Sequence, residues 1–137
     1  RRGDADEKPT IFFYKAWDAF GALSNFSPHP IVMAEEGGGS REWNSVEHYY
    51  QGQKFSGVPN PEAAALYDEV AASASPEEAA RIGRRAERLT PHLVRADWKD
   101  VKMGVMYRAL RHKFRAHPRV RQLLLSTANV QEQGGGG

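Results

Sequence analysis

Two dipeptides constrain this chain more than any other feature: Asn60-Pro61 and Ser75-Pro76. Each sets a side chain that can accept from an orphan helix amide directly before a proline, and proline fits the first helical turn because no N–H is required of it there. Asn60-Pro61 predicts a helix running through A-A-A-L-Y-D-E-V, and Ser75-Pro76-Glu77-Glu78 adds a capping box that opens A-A-R-I-G-R-R-A-E-R-L. A third and longest helix is predicted over 97–115. Its apolar residues form two stripes, Trp98, Val101, Val105 and Ala109 on one side and Met106, Leu110 and Phe114 on another. A helix apolar on two sides lies between layers, so this one is the expected spine. His117-Pro118 ends it, and a last helix begins over 120–125.

The N-terminal half reads differently. Residues 11–14 are a short β-branched and aromatic run, hence a strand, and 21–30 are rich in turn formers, hence a structured loop. Residues 31–33 and 41–43 read as two strands joined by a Gly-rich turn, a hairpin. The expected architecture is α+β: a helix-rich single domain with a small antiparallel sheet. A length of 137 residues suits one domain, and an apolar fraction of 40% suits a real core. The chain has no Cys, which excludes a disulfide scaffold and a thiolate site and fits a reducing compartment. No apolar run approaches the ~20 residues of a membrane span and no signal peptide is evident, so an intracellular protein is expected. A net charge of +2 permits a phosphate-bearing ligand without announcing a nucleic-acid surface.

The hairpin feeds into residues 43–55, W-N-S-V-E-H-Y-Y-Q-G-Q-K-F, which read as one helix with an unusual face. Glu47, Tyr50, Gln51 and Lys54 share one stripe, whereas His48 and Phe55 point elsewhere. A carboxylate and an amine two turns apart, about 10 Å in rise, can converge on a ligand lying over the helix. The plain reading is that Asn44 caps this helix, that Glu47 closes a capping box, and that Gln51 and Lys54 are a solvated face. Trp43 is either a core plug or a wall on which a flat base stacks. His48, on a different side from Glu47, reads as a buried, satisfied histidine. The five histidines show no metal-ligand spacing, so no metal and no cofactor is expected.

The stretch resembles the signature of the NADAR, or YbiA-like, family, in which a Trp leads into E-H-Y-Y/F-Q-A-Q-K-F. Four further blocks fall in the family's order: F-Y-K-A-W-D-A-F-G-A-L-S-N-F-S-P-H-P-I over 13–31, S-P-E-E-A-A-R-I-G-R over 75–84, A-D-W-K-D-V-K-M-G-V-M-Y-R-A-L-R-H-K-F over 96–114, and L-L-L-S-T-A over 123–128. The resemblance implies an N-glycosidase domain over 11–128, preceded by a tail or linker over 1–10 and followed by a flexible Gly-rich tail over 129–137, where the family's usual C-terminal segment is expected to be missing. It further implies hydrolysis of the C1'–N bond of phosphorylated ribosylaminopyrimidines, the early intermediates of riboflavin synthesis. The family also holds proteins acting on ADP-ribose attached to guanine. Plant relatives sit behind a reductase-like domain, so fusion to a riboflavin-pathway reductase is an expected arrangement, with the cytoplasm, or in a plant the plastid, as location.

Under that resemblance Glu47, Lys54 and Asp97 are the candidate catalytic residues, although Asp97 alone reads as a helix cap. Asn25, Trp43, Tyr50, Gln51, Arg84 and Trp98 are the candidate substrate-binding residues. Arg84 stands out from Arg81, Arg85 and Arg88, which read as a solvated face, because it completes the family-like Gly-Arg pair and can hold a phosphate bidentately. Two other readings compete. One is a non-catalytic binder of ADP-ribose-like or NAD-like nucleotides; the other, an enzyme acting on ADP-ribosylated nucleic acid, wants a continuous basic track that Glu77, Glu78 and Glu87 interrupt.

Overall fold

The computed structural model describes residues 29–116. The predicted strand over 11–14, the candidate Asn25, the helix over 120–125 and both tails lie outside the described residues.

Strand β1, Ile31–Ala34, pairs antiparallel with β2, Ser40–Trp43, in the register Ile31 to Trp43 and Ala34 to Ser40. The hairpin is the predicted one, each strand a residue longer. Its turn closes through Gly38 N–H to the Glu35 carbonyl (3.1 Å) and Glu35 N–H to the Gly39 carbonyl (3.0 Å). Gly38 and Gly39 both take positive φ, 100° and 76°, which side chains disfavour and glycine does not. On β1 the alternation turns Ile31 and Met33 inward and leaves Val32 exposed.

Helices follow in order: α1 (Val46–Gln53), α2 (Pro61–Ala72), α3 (Pro76–Leu89), a 3₁₀ turn (Pro91–Leu93) and α4 (Trp98–Ala116). The two dipeptides behave as read. Asn60 Oδ1 accepts from Glu62 N–H (2.8 Å) and Ser75 Oγ from Glu78 N–H (3.1 Å), with a proline opening each helix. Glu77 and Glu78 add negative charge where the helix dipole favours it. Helix α4 is the expected spine, packed against α1 and β1, with Trp98, Val105, Met106, Ala109, Leu110 and Phe114 all buried.

Helix α1 is shorter than the stretch 43–55. Trp43 belongs to β2, and the helix starts only at Val46 because Ser45, not Asn44, is the cap. Ser45 is extended (φ −160°, ψ 168°), and its Oγ accepts from His48 N–H at 3.1 Å. Moving the cap one residue on puts His48 at the third helical position and Glu47 at the second. The capping-box account of Glu47 thereby fails, and its carboxylate is left for other work.

Trp43 plugs the core, 1% exposed, edge-on to Tyr49 and Tyr67 at centroid distances of 5.6 and 5.2 Å. Its six-membered ring lies against Gly52 of α1, where an added Cβ would come within 2.7 Å of the ring. Of the two readings open for Trp43, core plug or stacking wall, the structure gives the first.

His48 is 1% exposed and satisfied at both nitrogens, Nδ1 2.7 Å from Ser45 Oγ and Nε2 3.1 Å from the Ser73 carbonyl. A carbonyl only accepts, so the Nε2 hydrogen points to Ser73 and Nδ1 accepts from the Ser45 hydroxyl. The ring thus ties the start of α1 to the end of α2. Burial holds its pKa below the usual 6.5, against the Ser73 bond and the charges of Glu47 and Glu78, which raise it. A folded pKa below the unfolded one means the unfolded chain gains the proton first. Stability is therefore full above about pH 6.5 and is lost as pH falls through the interval between the two pKa values, by at most about 1.4 kcal/mol for each pH unit crossed. Urea midpoints at pH 7.5 and 5.0 should show this loss. In His48→Gln that part of the pH dependence should vanish.

Candidate active site

The polar stripe predicted on α1 exists, and it faces inward. Glu47 is 3% exposed, Gln51 2% and Lys54 3%, so the solvated-face reading does not hold. Gln51 Nε2 donates to Glu47 Oε2 at 2.7 Å, one turn apart on the helix. The opposite end of the amide meets Gly83 of α3, where a Cβ would collide with Gln51 Oε1. That oxygen has no hydrogen-bond partner among the described residues. An unsatisfied buried acceptor costs about 1–3 kcal/mol, and the bond to a buried carboxylate, stronger than a neutral one, is what offsets it.

Lys54 follows the last turn of α1. Its N–H bonds to the Gln51 carbonyl (3.2 Å), and its own carbonyl accepts from Arg95 N–H (2.8 Å), which fixes the root of the side chain. Its Nζ donates to Glu87 Oε1 of α3 at 2.7 Å. Burial pulls the Lys54 pKa down from 10.5; Glu87 and then Glu47 oppose the shift, and Arg84 adds to it. Glu47, Lys54, Glu87 and Arg84 therefore form one electrostatic group spanning α1 and α3. Arg84 itself is exposed.

Glu87 does not stand out in the sequence. The signal that could have found it is its spacing on α3: it stands four residues after Gly83, on the face that Gly83 opens to α1. Tyr50 and Trp98, both candidate ligand contacts, are brought together edge to face at 5.1 Å, joining α1 to α4. Asp97 has a partner other than Glu47. Its carboxylate takes two bonds from Arg95, Nε to Oδ1 at 2.6 Å and a terminal nitrogen to Oδ2 at 3.1 Å, and the Arg95 guanidinium holds its pKa below the usual range. Its carbonyl accepts from Val101 N–H (3.1 Å) and so opens α4. Asp97 lines a surface groove of about 480 Å³ with Glu36, Ser56, His92 and Arg95, to which Glu47, Gln51 and Lys54 do not contribute. No helix of the described residues is long and apolar enough to cross a membrane, and no three His, Asp or Glu among them gather as metal ligands.

An α+β domain that buries a carboxylate, an amide and an amine along one side of a short helix is equipped for acid–base and nucleophilic work on a small ligand. The chain belongs to the NADAR domain family, which matches residues 12–131. It is 53% identical over 122 residues to the chloroplastic riboflavin biosynthesis protein PYRR of Zea mays, covering 89% of this chain and 20% of that protein. To an N-glycosidase of Nostoc punctiforme it is 42% identical over 120 residues, 88% of this chain and 69% of the relative. The solution structure of Escherichia coli YbiA superposes with a TM-score of 0.57 at 39% identity, covering 82% of this chain and 58% of that one. The curated E. coli protein is named N-glycosidase YbiA. Of these relatives the chain thus spans from a fifth to about two thirds.

Proposed function

We propose that this domain hydrolyses the C1'–N bond of a phosphorylated ribosylaminopyrimidine, releasing ribose 5-phosphate and the aminopyrimidine. The observation that carries the reading is a lysine amine, buried and drawn toward neutrality, at the C-terminal end of the helix that carries a buried carboxylate, in a chain whose relatives are named N-glycosidases and a riboflavin biosynthesis protein.

The glycosylamine opens to an imine at C1', and Lys54 Nζ adds there, replacing one hard displacement with two easier steps. As Nζ becomes the imine, Glu47 passes the protons that the amine sheds to the departing pyrimidine nitrogen, which leaves with the electron pair of its bond to C1'. The lysine imine that remains is hydrolysed by a water whose protons Glu47 passes back to Nζ. Arg84 meets the phosphate; Tyr50 and Trp98 offer ring faces and edges to the pyrimidine; Gln51 holds Glu47 in place. Asn25 remains a proposed substrate contact and Asp97 a proposed assisting carboxylate. Fusion to a riboflavin-pathway reductase domain and a plastid location belong to the same proposal; the maize relative, named a chloroplastic riboflavin biosynthesis protein, supports the location, and the 20% of it that this chain spans supports a further domain there.

The test offers the chain the ribosylaminopyrimidine phosphate and, separately, ADP-ribose linked to guanine, and measures the released sugar. Release from the first substrate is expected. Release from the second alone would transfer the reading to ADP-ribosyl guanine, and tight binding of ADP-ribose with turnover of neither would make the domain a binding module.

A further inference from the structure

The partner of Lys54 sits on another helix and on the other side of the protein boundary. The Lys54 side chain is 4% exposed and that of Glu87 46%, yet their charged atoms lie 2.7 Å apart. Ion pairs at a surface contribute little because water serves both ends equally well. Here one end is nearly closed off from water and the other is not. Of the charges that bear on the amine, Glu47 comes from α1 and Glu87 and Arg84 from α3, and Glu87 is the one bonded to Nζ. Gly83 permits this contact by letting α3 lie against Gln51, so that the residue one turn later reaches the end of α1.

We propose that Glu87 is the positioning residue of the Lys54 nucleophile, holding the amine charged and aimed at rest and taking its proton when the amine attacks. The inference rests on the reading of Lys54 as nucleophile given above. An ammonium has no lone pair to offer, so the resting pair must open before C1' can be reached. In the step, one N–H bond of Nζ breaks, an O–H bond forms on the Glu87 carboxylate, and the freed pair on Nζ forms the bond to C1'. After the imine is hydrolysed the proton returns from Glu87 to Nζ, and no net proton is gained or lost. Because Glu87 is half-exposed, water can carry the proton away or resupply it between turnovers. A carboxylate as buried as the amine would not allow this.

The experiment is the pH dependence of kcat/KM for the ribosylaminopyrimidine phosphate in the full chain, in Glu87→Gln and in Glu87→Asp, with borohydride trapping of the lysine adduct at each pH. Gln keeps the size and an accepting oxygen but has no charge and no affinity for the proton. Burial and Arg84 then act on the amine with only Glu47 against them, so the acid limb in Glu87→Gln should move to lower pH by about one unit or more. Adduct trapped at pH 6 should rise relative to the parent chain, while the plateau of kcat falls about tenfold as the amine loses its aim. Glu87→Asp, which keeps the charge but retracts it, should lie between, and it carries the test should the Gln variant not fold. Limbs that coincide in all three chains would overturn the proposal and leave Glu87 an ordinary surface carboxylate. A parent chain that turns over without any trapped adduct would remove the nucleophile reading itself, whatever Glu87 does.

Discussion

Replacing Glu47 by Gln is expected to lower release of ribose 5-phosphate by about 10²–10⁴-fold, the usual worth of a positioned general acid and base, while leaving the fold intact. The substitution is close to isosteric, and the new side-chain oxygen can still accept from Gln51 Nε2, the bond seen at 2.7 Å. What the amide cannot do is give a proton to the leaving nitrogen and then take one from water. Rate and stability should therefore separate: the urea midpoint moves little and turnover collapses. A variant within tenfold of the parent rate, equally stable, would reduce Glu47 to a structural acceptor that orients Gln51.

Lys54→Met should abolish both turnover and the borohydride adduct, yet fold at least as well as the parent chain. Met fills much the same space as the lysine stem without a charge at its end. Breaking a buried pair is usually costly because it strands a buried charge, but here the stranded partner is Glu87, which water already reaches. The depressed Lys54 pKa means that burying the charged amine works against folding at neutral pH, and the substitution removes that penalty. Loss of activity with loss of stability would make Lys54 a structural residue. Retained activity would favour direct attack by water on a closed sugar, with Lys54 only binding oxygen.

What could be read from sequence was what is decided locally. Asn60 and Ser75 cap their helices because the groups they satisfy lie two or three residues away, and the hairpin follows from glycines that accept positive φ where it turns. The stripes of α4 are set by helical periodicity, and packing against α1 and β1 only had to use them. Even so, local signals compete at close range. Asn44 and Ser45 are both good caps, and the second won because its hydroxyl, which also meets His48 Nδ1, sits where the helix must begin if Trp43 is to finish the strand.

The rest depended on neighbours distant in sequence. That Glu47, Gln51 and Lys54 face inward is decided by α3, which lies against them; nothing within residues 43–55 separates that outcome from a solvated stripe. Glu87 is 33 residues from Lys54 and reads in the sequence as one acid among many arginines. Trp43 was ambiguous for a similar reason, since a Trp becomes a plug or a wall according to what stands across from it, here Tyr67 and the bare backbone of Gly52.

The hydrogen bond from Arg95 N–H to the Lys54 carbonyl has an implication for how such a domain can vary. The segment between the end of α3 and the start of α4 looks like an ordinary connector, free to drift in length and composition. One of its amides, however, must always arrive at that carbonyl, because there it anchors the backbone from which the Lys54 amine hangs. Insertions and deletions upstream of Arg95 can be absorbed as long as the landing point is kept, so the connector is permissive in its path and strict in its destination.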